Sequence, residues 1–164
     1  MWKVVLGYKC SSTGLSQLDT GTNSLTWTTK SRSFIANSST STVIFGFDAR
    51  SDLYYLLDDV SIVQTDDQSV QLLDNPSFDD STTNPVGWSA WCSNTCSGSS
   101  GGSVTTSGCR SSVCYKGSCY GGSATDHITQ TFSTIAGQNY TISFYYRRVG
   151  SSSGSSVYLY GTVF

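Results

Sequence analysis

Acidic side chains and one histidine are the groups of this 164-residue chain that could perform acid–base chemistry. Three adjacent aspartate pairs occur, of which Asp66-Asp67 belongs to the predicted linker and is treated as solvated charge. The other two are Asp58-Asp59 and Asp79-Asp80, and the histidine is His127. General acid–base catalysis requires such groups to meet around one substrate. Neighbouring residues of a strand point to opposite faces, so neither pair is placed to act as a cooperating dyad. His127 flanks a strand pattern, and we expect it at the surface.

Nucleophilic catalysis finds little support either. Serine occurs 32 times, but His127 has no evident nucleophile partner in the pattern. The run "SGSSGG" is composed like a flexible linker and not like a phosphate-binding cradle. We therefore predict that the protein is not an enzyme.

The six cysteines are the next group with defined chemistry: Cys10, Cys92, Cys96, Cys109, Cys114 and Cys119. Zinc sites prefer tighter Cys-x-x-Cys spacing accompanied by histidine, so disulfides are favoured over a metal. Six cysteines allow 15 pairings, and the sequence leaves the choice open. A bridge from Cys10 must join the first half of the chain to the second.

Charge and composition limit where the protein acts. A net charge of −2 gives no electrostatic reason to expect nucleic acid as a partner. The sequence contains no apolar run approaching the ~20 residues that span a bilayer, so we expect no membrane insertion. Disulfides together with the glycosylation sequons at Asn37 and Asn139 predict a secreted, extracellular protein.

Alternating apolar and polar residues are the dominant pattern along the chain. In "NYTISFYYRR", for example, Tyr140, Ile142, Phe144 and Tyr146 share one strand face. The pattern predicts an all-β, antiparallel β-sandwich, because each strand has one core face and one wet face. The predicted strands are 2–8, 25–29, 31–36, 42–48, 54–63, 69–73, 127–132, 140–148 and 156–164.

Residues 91–126 form a cysteine-rich segment that is too long for an ordinary loop. We predict a cross-linked excursion with one short strand near 102–106, in which disulfides replace a core. Residues 151–156, "SSSGSS", are predicted to form a flexible hairpin connection.

Four stretches of the chain together resemble extracellular jelly-roll carbohydrate-binding modules of the galactose-binding-domain-like kind. "LLDNPSFDD", followed by Gly87-Trp88, resembles their opening strand. "ITQTFSTIAGQNYTISFYYR" is similar to their middle, and "LTWTTKSRSFIANSSTSTVIFGF" to their penultimate strands. "YYLLDDVSIV" is similar to their last strand.

These stretches occur in circularly permuted order. The resemblance implies one jelly-roll domain over residues 1–164, in which 69–164 supply the first part of the family pattern, 64–68 a linker and 1–63 the second part. The chain then reads as a permutant, or as a window cut from a tandem array across a domain boundary. The alternative is a strand-swapped dimer of two half-domains, which the short linker favours.

The resemblance also implies a structural calcium ion between the opening and closing strands. The matching acids are Asp58, Asp59, Asp79 and Asp80, and calcium takes oxygen ligands of this kind. The alternative is that these aspartates cap turns and keep sheet edges soluble.

The function that the resemblance implies is lectin-like, non-catalytic glycan binding by aromatic side chains that stack on sugar rings. Alternation along the strands makes the candidate residues Tyr145, Arg147, Tyr158, Tyr160 and Asp48. A second aromatic cluster comprises Trp91, Tyr115 and Tyr120 of the cysteine-rich segment, whereas Trp27 and Trp88 match core positions.

Two other functions remain open. The first is a structural or adhesive extracellular repeat, without a sugar site, in which the cysteine-rich segment contacts protein partners. Ice or mineral-surface binding by strands such as "TWTT" is weaker, because the chain lacks a regular Thr-x-Thr repeat.

Overall fold

The protein folds as an all-β sandwich in a computed structural model that describes residues 10–19, 26–99, 101–121, 125–150 and 157–164. These residues form ten strands and one 3₁₀ helix (Ser93–Thr95), and they contain no α-helix. β-branched and aromatic residues dominate the strands, as expected for side chains that pack well on a pleated surface. The prediction of an antiparallel β-sandwich is confirmed.

Each of the two sheets has five strands, and every pairing is antiparallel. Sheet A has the order β1 (Ser16–Asp19), β10 (Tyr158–Val163), β3 (Thr40–Asp48), β8 (Asp126–Ser133) and β5 (Ser89–Trp91). Sheet B has the order β2 (Thr28–Ile35), β9 (Asn139–Val149), β4 (Tyr54–Gln64), β7 (Cys114–Gly117) and β6 (Ser103–Thr105).

Aromatic side chains from the two sheets meet in the core. Phe45 of sheet A meets Phe144 of sheet B edge to face, with ring centroids 5.0 Å apart, and Phe47 packs on Tyr115 at 5.5 Å. Two hydrogen bonds also join the sheets: the Tyr55 hydroxyl donates to Asp19 Oδ2 at 2.6 Å, and the Tyr146 hydroxyl donates to Asp19 Oδ1 at 3.4 Å. Burial of this kind supplies the main driving force for closing two sheets face to face.

Several strand boundaries differ from the predictions. The two predicted strands 25–29 and 31–36 correspond to the single strand β2, Thr28–Ile35. Residues 69–73 are not a strand, so that prediction is wrong. They run beside β4, where the Leu72 N–H donates to the Ile62 carbonyl at 3.0 Å. The Gln71 side-chain oxygen accepts the backbone N–H groups of Ile62, Leu72 and Leu73, in place of a regular ladder of backbone bonds. The predicted strand 2–8 and connection 151–156 lie outside the described residues.

The cysteine-rich segment is part of the sandwich. It contains the short strand predicted near 102–106, now β6, and a second strand, β7, that the pattern did not reveal. Tyr115 of β7 is fully buried in the common core. The expectation that disulfides stand in for a core in this segment is therefore wrong.

Two further burial predictions have mixed outcomes. Trp88 is in the core as expected, and its indole N–H donates to the Asn75 carbonyl at 3.0 Å, whereas Trp27 is only half-buried. His127 is buried and not at the surface, because the second residue of β8 faces a covered part of sheet A.

Three disulfides use all six cysteines: Cys10–Cys92, Cys96–Cys119 and Cys109–Cys114. The first joins the two halves of the chain, as predicted for Cys10. Such bridges indicate an oxidising environment. Within the part of the chain that the structure describes, no helix is long and apolar enough to cross a membrane.

Candidate functional site

The five predicted glycan-binding residues lie on two different surfaces, the outer face of sheet A and the outer face of sheet B. Tyr158 and Tyr160 point outward from sheet A, because Leu159 between them is buried in the core, and Tyr158 lies opposite Asp48 of β3. Tyr145 and Arg147 point outward from sheet B, flanking the buried Tyr146. The structure thus brings Tyr158, Tyr160 and Asp48 together and places the other two residues on the opposite side of the molecule.

The residues gathered on sheet A form what we call the tyrosine platform: Tyr158, Tyr160, Asp48 and Gln17. The two tyrosine rings are stacked at 5.9 Å between centroids and 28° between planes. Gln17 of β1 lies opposite Tyr160 in the ladder and is exposed, while both tyrosines are half-buried. The platform therefore presents two nearly parallel rings with an amide and a carboxylate at neighbouring register positions.

Asp48 is shielded enough for its ionisation to be perturbed. Burial raises the pKa of its carboxyl above the ordinary value, and nearby Arg50 opposes that rise. A carboxylate that is half-buried beside aromatic rings is a strong acceptor for sugar hydroxyls.

The centre of the same sheet face is covered by residues 10–15. A Cβ atom placed on Gly46 would lie 2.9 Å from Leu15 Cδ1, so Leu15 rests directly on this face. Beyond Gly46, the His127 imidazole stacks on Trp91 at 4.9 Å and 11°. Burial lowers the pKa of His127 to about 4, which keeps the ring neutral at physiological pH.

Sheet B is covered at the very place where its candidate tyrosine points outward. The Arg110 guanidinium lies 3.4 Å from the centroid of the Tyr145 ring and forms an ion pair with Asp59 at 3.1 Å. Gly108 lies against Leu56, and its position is also close to the Arg147 guanidinium. This covering loop, residues 106–112, is closed by the Cys109–Cys114 disulfide, and it occupies the surface that a sugar ring would need.

Three of the four acids predicted to bind calcium, Asp58, Asp59 and Asp79, hold this covering loop in place. Asp58 Oδ2 accepts the Arg110 N–H at 3.1 Å, and Asp79 Oδ1 accepts the Val113 N–H at 3.0 Å. Burial raises the pKa of Asp58 to about 6, while the Ser112 hydroxyl, itself a donor to Asp79, lowers the pKa of Asp79. Asp80 is exposed, and its backbone N–H donates to Asn75.

These contacts do not fit a calcium clasp. Across residues 10–19, 26–99, 101–121, 125–150 and 157–164, no group of three or more His, Cys, Asp or Glu side chains is arranged to hold a metal ion. Calcium takes six to eight oxygen ligands. Carboxylate oxygens of Asp58 and Asp79 instead accept hydrogen bonds from backbone amides. Calcium stays a prediction from the resemblance and enters no step below.

A cleft at one end of the sandwich was missed by the sequence analysis. It encloses about 310 Å³, and its polar and aromatic lining includes Arg50, Tyr54, Ser99, Lys116, Ser118 and Tyr120. Only Tyr120 had been noted, as part of an aromatic cluster. The other members of that cluster lie elsewhere, since Tyr115 is buried and Trp91 stacks on His127. We call this feature the loop cleft.

Comparison of the chain with protein families, with curated proteins and with solved structures finds no match.

Proposed function

We propose that this is an extracellular, non-catalytic glycan-binding domain whose binding surface is the tyrosine platform of sheet A. The observation that carries the proposal is the stacked, half-exposed pair Tyr158 and Tyr160 on an outer sheet face. Apolar C–H faces of pyranose rings pack on such aromatic faces, and nearby polar side chains fix the orientation of the sugar.

The platform combines aromatic surface with hydrogen-bonding groups. The two tyrosine rings are stacked with their centroids 5.9 Å apart, so they form one aromatic cluster in place of two isolated contacts. Gln17 provides both a donor and an acceptor, and Asp48 provides an acceptor, at opposite ends of the tyrosine pair. Hydroxyl groups at the rim of a stacked sugar need partners of this kind.

Packing around the opening motif supports a permuted jelly-roll domain. Phe78 and Trp88, which carry the resemblance, pack together at 5.2 Å, and Gln130 binds backbone groups of Asp74 and Gly87. The described first and last strands, β1 and β10, are antiparallel neighbours, as a permuted order requires. Secretion is part of the same proposal, and the three disulfides support it.

The test is a glycan array followed by calorimetric titration of the best ligand. Tyr158→Ala/Tyr160→Ala should weaken binding at least about tenfold, because the contacts of the sugar with both aromatic rings are lost. Tyr145→Ala is the matched control, a strand tyrosine on the opposite face, and should leave the affinity unchanged. If no glycan binds saturably, or if the control loses as much affinity, the proposal fails.

A second candidate, adhesive protein contact, is favoured by one observation away from the platform. Val70 and Ile135 are 57% and 62% exposed and line the same open cleft of about 280 Å³. Exposed apolar side chains that cluster mark interaction surfaces. Sedimentation of the wild type and of Val70→Ser/Ile135→Ser tests this candidate: association that the substitutions abolish would favour adhesion, and a monomer at all concentrations would argue against self-adhesion.

A further inference from the structure

The loop cleft is assembled from three separate parts of the chain. The β3–β4 turn supplies Arg50, and Tyr54 begins β4 immediately afterwards. Residues 98–99 supply the Ser99 hydroxyl, and residues 116–120 supply Lys116, Ser118 and Tyr120. No single motif in the sequence contains all three parts, which is why strand patterns did not reveal the cleft.

Covalent and backbone links fix these three parts relative to one another. The Cys96–Cys119 disulfide and the Gly98 N–H donating to the Tyr120 carbonyl at 3.0 Å join two of the walls. The Ala49 N–H donates to the Cys119 carbonyl at 2.7 Å and joins the third. A cleft held in this way loses little conformational entropy when a ligand binds, which favours affinity.

The aromatic and cationic side chains of the cleft are held in defined positions. The Lys116 ammonium lies 4.4 Å from the centroid of the Tyr54 ring. Tyr120 lies against Gly98 so closely that a Cβ atom there would be 2.0 Å from the ring. Only glycine at position 98 therefore allows this placement of the Tyr120 ring.

The charge of the lining has one sign. Arg50 and Lys116 are cationic, and no aspartate is among the lining residues, although the whole chain has a net charge of −2. Arg50 is also close enough to Asp48 of the tyrosine platform to affect the ionisation of that carboxyl. Two cations with serine and tyrosine hydroxyls are suited to an oxyanion that carries a hydroxylated ring.

We propose that the loop cleft is a second binding site, one that takes an anionic sugar residue bearing a carboxylate or a sulfate ester. Arg50 and Lys116 bind the anionic group, Tyr120 and Tyr54 contact the ring, and the Ser99 and Ser118 hydroxyls bind ring hydroxyls. The loop cleft shares no residue with the tyrosine platform, so an experiment can contradict either proposal without contradicting the other.

Titration calorimetry with three hexasaccharides tests the site. A carrageenan-derived one carries sulfate esters and no carboxylate, oligogalacturonate carries carboxylates and no sulfate, and maltohexaose is the neutral control. We expect saturable binding of at least one anionic hexasaccharide and weaker or no binding of maltohexaose. Arg50→Gln/Lys116→Gln should weaken anionic binding at least about tenfold, because two charge-assisted contacts are lost. Gly98→Ala should also weaken it without altering charge, because the Tyr120 ring must move.

The matched control is Lys30→Gln/Arg32→Gln, which removes the same charge from β2, a strand separated from β7 by β9 and β4 in sheet B. It should leave the anionic affinity within about twofold, since surface charges at that distance are largely screened. Equal losses in both double variants would mean diffuse electrostatic attraction and would overturn the proposal. So would the absence of binding by both anionic probes, or equal affinity for maltohexaose.

Two more comparisons separate the outcomes. Tyr158→Ala/Tyr160→Ala should leave anionic binding in the cleft unchanged, and a loss there would assign the anion to the platform and overturn the cleft. Binding of the carrageenan fragment alone identifies sulfate as the anion, binding of oligogalacturonate alone identifies carboxylate, and either result supports the site.

Discussion

The two outer faces of the sandwich both carry outward tyrosines, but these tyrosines have different surroundings. Each carries an outward tyrosine on a central or near-central strand, and each is partly covered by a segment that a disulfide anchors. On sheet A, residues 10–15 rest on Gly46 and leave Tyr158 and Tyr160 half-exposed to the side. On sheet B, the covering loop 106–112 places Arg110 directly on Tyr145.

This difference shows that the direction of a side chain and its exposure to solvent are separate properties, although strand alternation is commonly used to infer both. Alternation determines which side chains point away from the core, and it did so correctly on both sheets. Whether an outward side chain meets solvent depends on connections that are remote in sequence, such as residue 110 above residue 145. A surface tyrosine is thus a binding candidate only where no such connection lies over it.

The largest expected effect is the loss of stability when either of the disulfides that anchor the two covering segments is removed. Cys10→Ser/Cys92→Ser should cost about 4.5 kcal/mol of unfolding free energy, because that bridge constrains a long loop of the unfolded chain, with 82 residues of sequence separation. Cys109→Ser/Cys114→Ser should cost only about 2 kcal/mol for its short loop. Urea unfolding measures both, and equal losses would contradict the ranking.

The second prediction concerns the interior between the faces, where the Asp126 carboxyl is buried. Burial raises the pKa of Asp126 to about 7, from an ordinary value of 3.8. From about pH 4 to 7 the folded state keeps a proton that the unfolded state releases, so this group lowers stability as pH rises. Relative to wild type, Asp126→Asn should therefore be equally stable at pH 4 and more stable at pH 7.5, by on the order of 3 kcal/mol.

His127 has the opposite effect on the pH dependence of stability, since burial lowers the pKa of its imidazole to about 4. Its contribution rises with pH from about 4 to 6.5, which is why the difference between wild type and Asp126→Asn, and not the wild-type profile alone, is the quantity to measure. Parallel profiles for the two proteins would show that Asp126 titrates normally and that water enters the interior.

The third prediction tests the cover on sheet B. Arg110→Gln should cost about 1 kcal/mol, because the exposed ion pair with Asp59 contributes little and the contact with Tyr145 contributes most of the loss. In double-mutant cycles, Arg110→Gln should couple to Tyr145→Leu and not to Tyr158→Leu. Coupling to Tyr158→Leu would show that the two faces are not independent.

The smallest expected effect is that of calcium. Because Asp58 and Asp79 hold the covering loop through backbone amides, millimolar calcium should change the thermal midpoint by less than about 1 °C. Magnesium at the same concentration is the control for ionic strength. A calcium-specific rise of several degrees would restore the ion clasp that the resemblance implies.

Local patterns predicted much of the fold. Period-two alternation identified the strands that became β3, β4, β8, β9 and β10, and it placed their core faces correctly. It missed β1, β5 and β7, since three- and four-residue strands contain too few alternations to register. It misjudged 69–73 because Gln71 binds the neighbouring backbone through its side chain, an arrangement that a hydrophobic pattern cannot show.

The candidate site was predicted less completely, for a similar reason. Tyr158, Tyr160 and Asp48 were found because each belongs to a long strand whose faces alternate. Arg50, Lys116 and Tyr120 come together only through the Cys96–Cys119 bridge and the turn before β4. With 15 possible disulfide pairings, no local reading of the sequence could bring them together.

The most direct test of the glycan proposal is a map of amide chemical shifts in the labelled protein as the best array ligand is added. The tyrosine platform predicts that shifts concentrate at Gln17, Asp48 and residues 158–162, while the amides of Arg110 and Tyr145 stay unchanged. Shifts centred on Arg110 and Tyr145, with none on β10, would contradict the claim that sheet A carries the binding face.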